Sequence, residues 1–278
     1  MMTERAWLIE GDNQTIYSQL GDVAAVITDP PYGAVVHHKH RVGRNAYREP
    51  DSVPIPFDQL TEFDMELLGG FLAGNCQGWA LIFCQTEQIN DWKSRIETLD
   101  AGGCRYFRPM LWIKPDARPN FNGDGPGIGH ETIQSYWCGT ERRRWNGGGQ
   151  VGIFMHTRDS TKTGKAGHPT QKPVALMKEL VRLFTDPGDV IFDPFMGSGS
   201  TGVAALELGR KFIGVEKNPD YFAVAKRRIE EALSKNHLLP IGTNDRMPTL
   251  FGGAVYGSTG TKRRLRREAA EKANEIDG

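Results

Sequence analysis

The chain has 278 residues, 38% hydrophobic and 24% charged, enough for one sizeable core; one α/β domain with appendages is the simplest organisation. Its 34 Lys and Arg balance 34 Asp and Glu, which leaves nucleic acid open, because the location of basic residues matters more than their sum. No apolar run approaches the roughly 20 residues of a bilayer span. The N-terminus has early acidic residues and no apolar signal core, so a cytoplasmic protein is expected. None of the four cysteines (Cys76, Cys84, Cys104, Cys138) forms a C-x-x-C pair, which argues against a zinc knuckle and for reduced, mostly buried thiols.

In chain order, the first clear strand is Ala24–Thr28 (AAVIT), followed by a helical pattern over Phe63–Ala73. A strand at Trp79–Cys84 (WALIFC) precedes a helix over Glu87–Leu99. Strands follow at Met110–Lys114 and Ile133–Trp137. Pro173–Phe184 opens with proline, a favoured first helical residue, and stops before Asp-Pro-Gly. Then come strand Val190–Asp193, helix Ser200–Leu208, strand Phe212–Glu216 and helix Pro219–Leu233. Short apolar strands alternating with helices predict a doubly wound, mostly parallel sheet covered on both faces.

Three stretches break the rhythm: Gly33–Pro56, Pro115–His130 and Gly139–Gly167. Irregular stretches this long inside a compact domain are usually functional or disordered. Beyond about Ser234 a spacer leads to KRRLRREAAEKANE, expected to be a flexible or helical tail. No internal repeat is visible.

Two segments carry chemistry. The first is Asp189–Glu216, which reads strand, glycine-rich turn, helix, strand, with an acid closing the second strand. Gly197 and Gly199 allow a sharp turn and close approach to a ligand. The helix opening at Ser200 and Thr201 offers unpaired N–H groups. Glu216 is placed to accept from ribose hydroxyls. A tight turn with no ligand, or a nicotinamide site, would share these features. However, Asp193-Pro194-Phe195 precedes the glycines, and an acid there suits an ammonium-bearing ligand such as S-adenosylmethionine better than a pyrophosphate.

The second segment is Thr28-Asp29-Pro30-Pro31-Tyr32-Gly33 at the end of the first strand. Two prolines make the loop rigid and expose the acid and the neighbouring carbonyls. Asp29 and the Pro30 carbonyl can accept the two protons of a planar amine while Tyr32 stacks on its ring. An aryl amine is a poor nucleophile because its lone pair is delocalised; accepting its protons favours a pyramidal nitrogen, and alignment does much of the rest. No covalent protein intermediate is needed, so the lack of a cysteine-centred motif fits. By itself the tetrapeptide is also an acceptable rigid turn.

Together, Asp29-Pro-Pro-Tyr32 and FDPFMGSGSTG at Phe192–Gly202 resemble the amino-methylating DNA methyltransferases. The tetrapeptide precedes the glycine segment, as in the circularly permuted β-group. Glu10–Asn13, Leu111–Asn120 and HPTQKP at His168–Pro173 are similar to family segments too, so the resemblance spans roughly Leu8 to Ile229. It implies a Rossmann-like methyltransferase domain over 1–236. Its catalytic half would cover about 8–138, recognition loops about 33–56 and 139–167, and a cofactor half about 168–233, with a tail at 237–278.

The resemblance also implies roles. Asp29, Pro30, Pro31 and Tyr32 would form the catalytic loop that holds the flipped base, with Asp29 also contributing to the cofactor site. Asp193, Phe195, Gly197 and Gly199 would line the methionine side of S-adenosylmethionine, and Glu216 its ribose. Asp12 would lie near the cofactor adenine, and Thr170 and Lys172 near its methionine end. A site-specific transfer to adenine N6 in double-stranded DNA is expected. The leading Asp of the tetrapeptide leans toward adenine, with cytosine N4 the alternative and a DNA-binding protein on a degenerate fold the non-enzyme alternative. Glutamine or RNA methylation usually has the opposite motif order.

DNA contacts are expected from Lys39, Arg41 and Arg44 in the loop after the tetrapeptide, and from Arg142, Arg143 and Arg144 beside Trp145. The nearby histidines suggest a metal site, but the reaction needs none, so no metal is expected. The interval between Trp137 and His168 is short for a recognition segment, so recognition would be spread over several loops or a partner. A homodimer and, in a restriction-modification setting, a cognate endonuclease are the expected partners.

Overall fold

The computed structural model describes residues 1–31, 60–98, 103–159 and 171–235. Eight strands form one sheet: β1 (Ala6–Glu10), β2 (Ala25–Thr28), β3 (Trp79–Cys84), β4 (Arg105–Ile113), β5 (His130–Trp137), β6 (Ile153–Met155), β7 (Val190–Asp193) and β8 (Lys211–Glu216). The helices are α1 (Asn13–Ile16), α2 (Glu62–Asn75), α3 (Ile89–Thr98), α4 (Val174–Phe184), α5 (Ser200–Glu207) and α6 (Pro219–Lys235).

The strand order is β1-β8-β7-β2-β3-β5-β4-β6. The pairs β1/β8, β7/β8, β2/β7, β2/β3 and β4/β6 are parallel. β5 runs antiparallel to both neighbours. The sheet is therefore mostly parallel and mixed. The reversal of β5 puts its first residues at the same end as the last residues of β3, with Thr132 opposite Cys84.

Both faces are covered, which is why the central strands are apolar throughout. Successive side chains of β2 and β3 alternate between faces. Ile27, Leu81 and Phe83 pack with residues of α4, α5 and α6. Val26, Ala80 and Ile82 pack with residues of α2 and α3. Thr61 starts α2 with a reciprocal cap: Asp64 N–H donates to Thr61 Oγ1 at 3.2 Å, and Thr61 N–H donates to Asp64 Oδ2 at 2.8 Å.

The helix after β7 lies on one face and the helix after β2 on the other, although β7 and β2 are neighbours. A sheet whose connections diverge in this way opens a crevice at the carboxyl ends of the two strands. Asp29 and Asp193 stand at that point.

Two strands were not anticipated. β1 is an edge strand of five residues that pairs with β8 and buries Ala6 and Leu8, an apolar run too short to separate strand from helix by period. β6 has only three residues. β4 also begins earlier than Met110, because Arg105, Arg108 and Pro109 occupy its exposed half and mask the strand pattern. Cys76 and Cys84 are buried thiols as expected, but Cys104 and Cys138 are joined as a disulfide. The pairing of Arg105 with Trp137 sets those two cysteines opposite each other, a register that cysteine spacing cannot reveal. No helix among the described residues is long and apolar enough to cross a membrane.

Candidate active site

The site is built where β2, β7 and β8 end. Thr28, the last residue of β2, is buried, and its hydroxyl donates to Asp193 Oδ1 at 2.8 Å. Asp193 Oδ1 also accepts from Phe195 N–H at 3.1 Å, and Oδ2 accepts from the Thr201 hydroxyl at 2.6 Å. This one carboxylate ties the catalytic strand, the glycine turn and the start of α5 together. Burial pushes its pKa up to about 7 against the pull of those three donors, and the nearby Asp29 charge adds to the rise. Asp193 is 2% exposed and shapes the turn through these hydrogen bonds.

The turn itself uses left-handed backbone at Gly197 (φ 49°) and Gly199 (φ 78°). A Cβ on Gly199 would lie 3.1 Å from Ala225 Cβ and 3.2 Å from Ile229 Cδ1, so this glycine also lets α6 pack closely. Glu216 at the end of β8 accepts from Gly197 N–H at 2.9 Å on Oε2 and from Asn218 N–H at 2.8 Å on Oε1. Burial raises its pKa, and those backbone donors oppose the rise. Each of its oxygens keeps a lone pair for a further donor, which suits a ribose diol.

Asp12 caps α1, with Oδ1 accepting from Gln14 N–H at 3.0 Å, and its Oδ2 lies 3.6 Å from Lys217 Nζ. Asn13 Nδ2 donates to the Pro194 carbonyl at 3.2 Å. Asp12, Phe195, Gly197, Gly199, Ser200, Thr201 and Glu216 thus gather around one turn. The donor set fits an adenosine-bearing ligand with a charged amino-acid end: an acid for the diol, helix-start N–H groups and a second acid flanking them.

Asp29 follows Thr28, with Pro30 buried behind it. Its Oδ2 accepts from Lys172 Nζ, while its buried Oδ1 finds no donor among the described residues. Burial raises the Asp29 pKa; Lys172 lowers it, Glu131 raises it, and Lys114 lowers it. Lys172, expected near the methionine end of the cofactor, has its ammonium against Asp29 and Glu131. Tyr32, Lys39, Arg41, Arg44 and Thr170 lie outside the described residues.

The DNA-contact expectation for Arg142, Arg143 and Arg144 meets a different geometry. Arg144 Nη2 is 3.9 Å from the position of a Cβ on Gly78, which itself abuts the Ala24 carbonyl. That is the amino end of β2 and β3, five residues and roughly 16 Å from Asp29 at ~3.3 Å per residue. Arg144 pairs with Asp186 at 3.3 Å, and Arg143 stacks on Phe107 at 4.6 Å. The antiparallel run of β5 carries the chain away from the site before these arginines appear. Arg143 and Arg144 do not share the mouth that holds Asp29.

Sequence reasoning missed Glu131, Lys114, Thr28 and Arg228. Arg228 on α6 donates to Ser198 Oγ at 2.9 Å and to Ser200 Oγ at 3.3 Å, bracing the turn from outside. No spacing signal links it to a turn 28 residues earlier.

Residues 23–227 match the DNA methylase family. The chain belongs to that family. The methylase is 49% identical over 235 residues to the DNA adenine methyltransferase YhdJ of Escherichia coli (strain K12), covering 76% of this chain and 77% of YhdJ. Its fold matches the crystal structure of the M1.HpyAVI–SAM complex with a TM-score of 0.62 and 25% identity, over 81% of this chain and 98% of that one. It also matches the cytosine-N4-specific PvuII DNA methyltransferase with a TM-score of 0.59, over 84% of this chain and 93% of that one. At 16% identity this last match speaks for the fold alone.

Proposed function

We propose that this methylase transfers a methyl group from S-adenosylmethionine to N6 of an adenine extruded from double-stranded DNA. The observation that carries the reading is the half-occupied carboxylate of Asp29: Oδ2 is held by Lys172, and buried Oδ1 is left over as an acceptor, one residue from the Thr28–Asp193 link to the glycine turn. A buried acceptor with no donor among the described residues suits an incoming N–H, since leaving it unpaired costs free energy.

The reading assigns these roles. Asp29 Oδ1 and the Pro30 carbonyl accept the amino protons, and Tyr32 stacks on the base. Asp12, Phe195, Gly197, Gly199, Ser200, Thr201 and Glu216 hold the cofactor, with Glu216 on the ribose and Asp193 keeping the turn in shape. When bound, S-adenosylmethionine supplies an electrophilic sulfonium methyl, whose carbon–sulfur electron pair returns to sulfur as the amine lone pair forms the new N–C bond. Asp29 Oδ1 orients that lone pair and receives the proton that the nitrogen sheds. The amino group is locked in a base pair within the duplex, so extrusion is required. The name of YhdJ, a relative over three quarters of the chain, supports adenine over cytosine.

The same reading treats residues 1–236 as the permuted catalytic domain, Lys39, Arg41 and Arg44 as phosphate contacts, and the cytoplasm as the location. A homodimer fits the exposed Val151, Ile153 and Met155 along edge strand β6. A cognate endonuclease rests on the family resemblance alone.

The test is incubation of the full chain with labelled cofactor and mixed-sequence duplex DNA, followed by nucleoside mass spectrometry. N6-methyladenine is expected. N4-methylcytosine would move the assignment to the other amine, and cofactor binding without any methylated base would favour a binding protein on this fold.

A further inference from the structure

Four charged side chains from four elements form a chain beside the proposed transfer site. Lys114 follows β4, Glu131 lies near the start of β5, Lys172 precedes α4, and Asp29 follows β2. Lys114 Nζ is 2.5 Å from Glu131 Oε1, Glu131 Oε2 is 3.2 Å from Lys172 Nζ, and Lys172 Nζ donates to Asp29 Oδ2. The charges alternate, so the set is neutral. Lys172 is 7% exposed and its ammonium sits 5.1 Å from the centre of the Phe83 ring, which closes off another direction.

We propose that Glu131 is a positioning residue for the methyl transfer: it holds the Lys172 ammonium between two carboxylates, so that Lys172 fixes Asp29 Oδ2 and leaves Oδ1 facing the amine. The inference rests on the adenine-methylation reading and deepens it. A lysine paired with Asp29 alone would form a full ion pair and drain the acceptor strength that the amine needs. A lysine absent altogether would leave a carboxylate that burial tends to protonate. Sharing the cation with Glu131 keeps Asp29 ionised and still basic, and Lys114 compensates the second carboxylate. Other groups facing Asp29 are Asp193 at the end of β7 and Cys84 at the end of β3. His130, beside Glu131, has Nε2 3.4 Å from Thr86 Oγ1.

The two partners act on Asp29 with opposite sign. Glu131→Gln removes a repulsive charge and frees Lys172 for Asp29, so the acid limb of the kcat profile should move down by about one pH unit. Lys172→Met removes the cation, so that limb should move up by at least as much. The double variant should return toward the wild type. Each single variant should lower kcat about tenfold or more, with the dissociation constant of S-adenosylmethionine, measured by calorimetry without DNA, unchanged. Lys172→Arg keeps the charge and should hold the limb near its wild-type position.

The measurements are full-chain kcat against pH at saturating DNA and cofactor, with circular dichroism to verify folding. Shifts of the same sign, or an unmoved acid limb in Glu131→Gln, would overturn the proposal. Weakened cofactor binding with an unmoved limb in Lys172→Met would return Lys172 to the cofactor. If Lys172→Met does not fold, Glu131→Gln decides alone. A carboxyl NMR titration of Asp29 reads the same shifts without turnover, so an inactive wild type would sink the methylation reading while the titration still decides the network.

Discussion

Asp29 and Asp193 are two carboxylates of one crevice put to different uses, Asp193 2% exposed and the Asp29 side chain 24%. Asp193 accepts three hydrogen bonds, from Thr28, Phe195 N–H and Thr201, whereas Asp29 has one oxygen held by Lys172 and one with no donor among the described residues. Asp29→Asn replaces the ionised acceptor with a neutral amide. Turnover should fall about 10²–10³-fold, the scale of removing one preorganised electrostatic partner. Cofactor affinity should be unchanged by calorimetry; equal loss of both would contradict the role. Asp193 makes a pH prediction. Its folded pKa, about 7, lies above the ordinary 3.8, so its contribution to stability is fully present below about pH 4 and is lost as pH rises through 7. Thermal melts of wild type and Asp193→Asn should show the wild type's advantage shrinking over that window. A difference in Tm that stays flat from pH 4 to 7 would mean that the carboxyl titrates normally.

The glycine turn and the helices behind it respond as a unit. Gly199 needs a left-handed backbone and has Ala225 and Ile229 directly against it. Gly199→Ala therefore strains the turn at about 1–2 kcal/mol for the backbone and forces α6 outward as well. Chemical denaturation should show a loss of at least that size, and the cofactor dissociation constant should rise with it. Wild-type affinity in a folded variant would separate the packing role from the binding one. The helices of this half were readable because α4, α5 and α6 carry clear apolar spacing and turn residues at their ends. β1 and β6 were not, because apolar runs this short carry no decisive period, and the exposed half of β4 was not, because its arginines and proline mask the strand pattern.

The molecule as a whole has a reactive end and an opposite end, and charge alone does not say which residues belong to which. Arg143 and Arg144, which follow Arg142 in the loop after β5, sit toward the amino ends of β2 and β3, away from Asp29. Replacing all three with alanine should leave the salt dependence of DNA binding unchanged. Replacing Lys39, Arg41 and Arg44 should flatten it by about 0.9 in log–log slope for each phosphate that is no longer neutralised. Fluorescence anisotropy across a salt series reads both, and a flattened slope in the first triple would put DNA on the far side.

From the chain alone came the alternation of strands and helices, the glycine turn closed by Glu216, and the acid-proline-proline-tyrosine loop. Each is a local pattern, dictated by backbone conformation or by period within a few residues. Only the tertiary structure decided what met what. Thr28 reaches Asp193 across 165 residues and Lys172 reaches Asp29 across 143, and neither separation leaves a mark in spacing. The reversed β5 brings Glu131 to the site and takes the arginines from it, because strand direction is settled by which neighbour supplies the hydrogen bonds and the buried face.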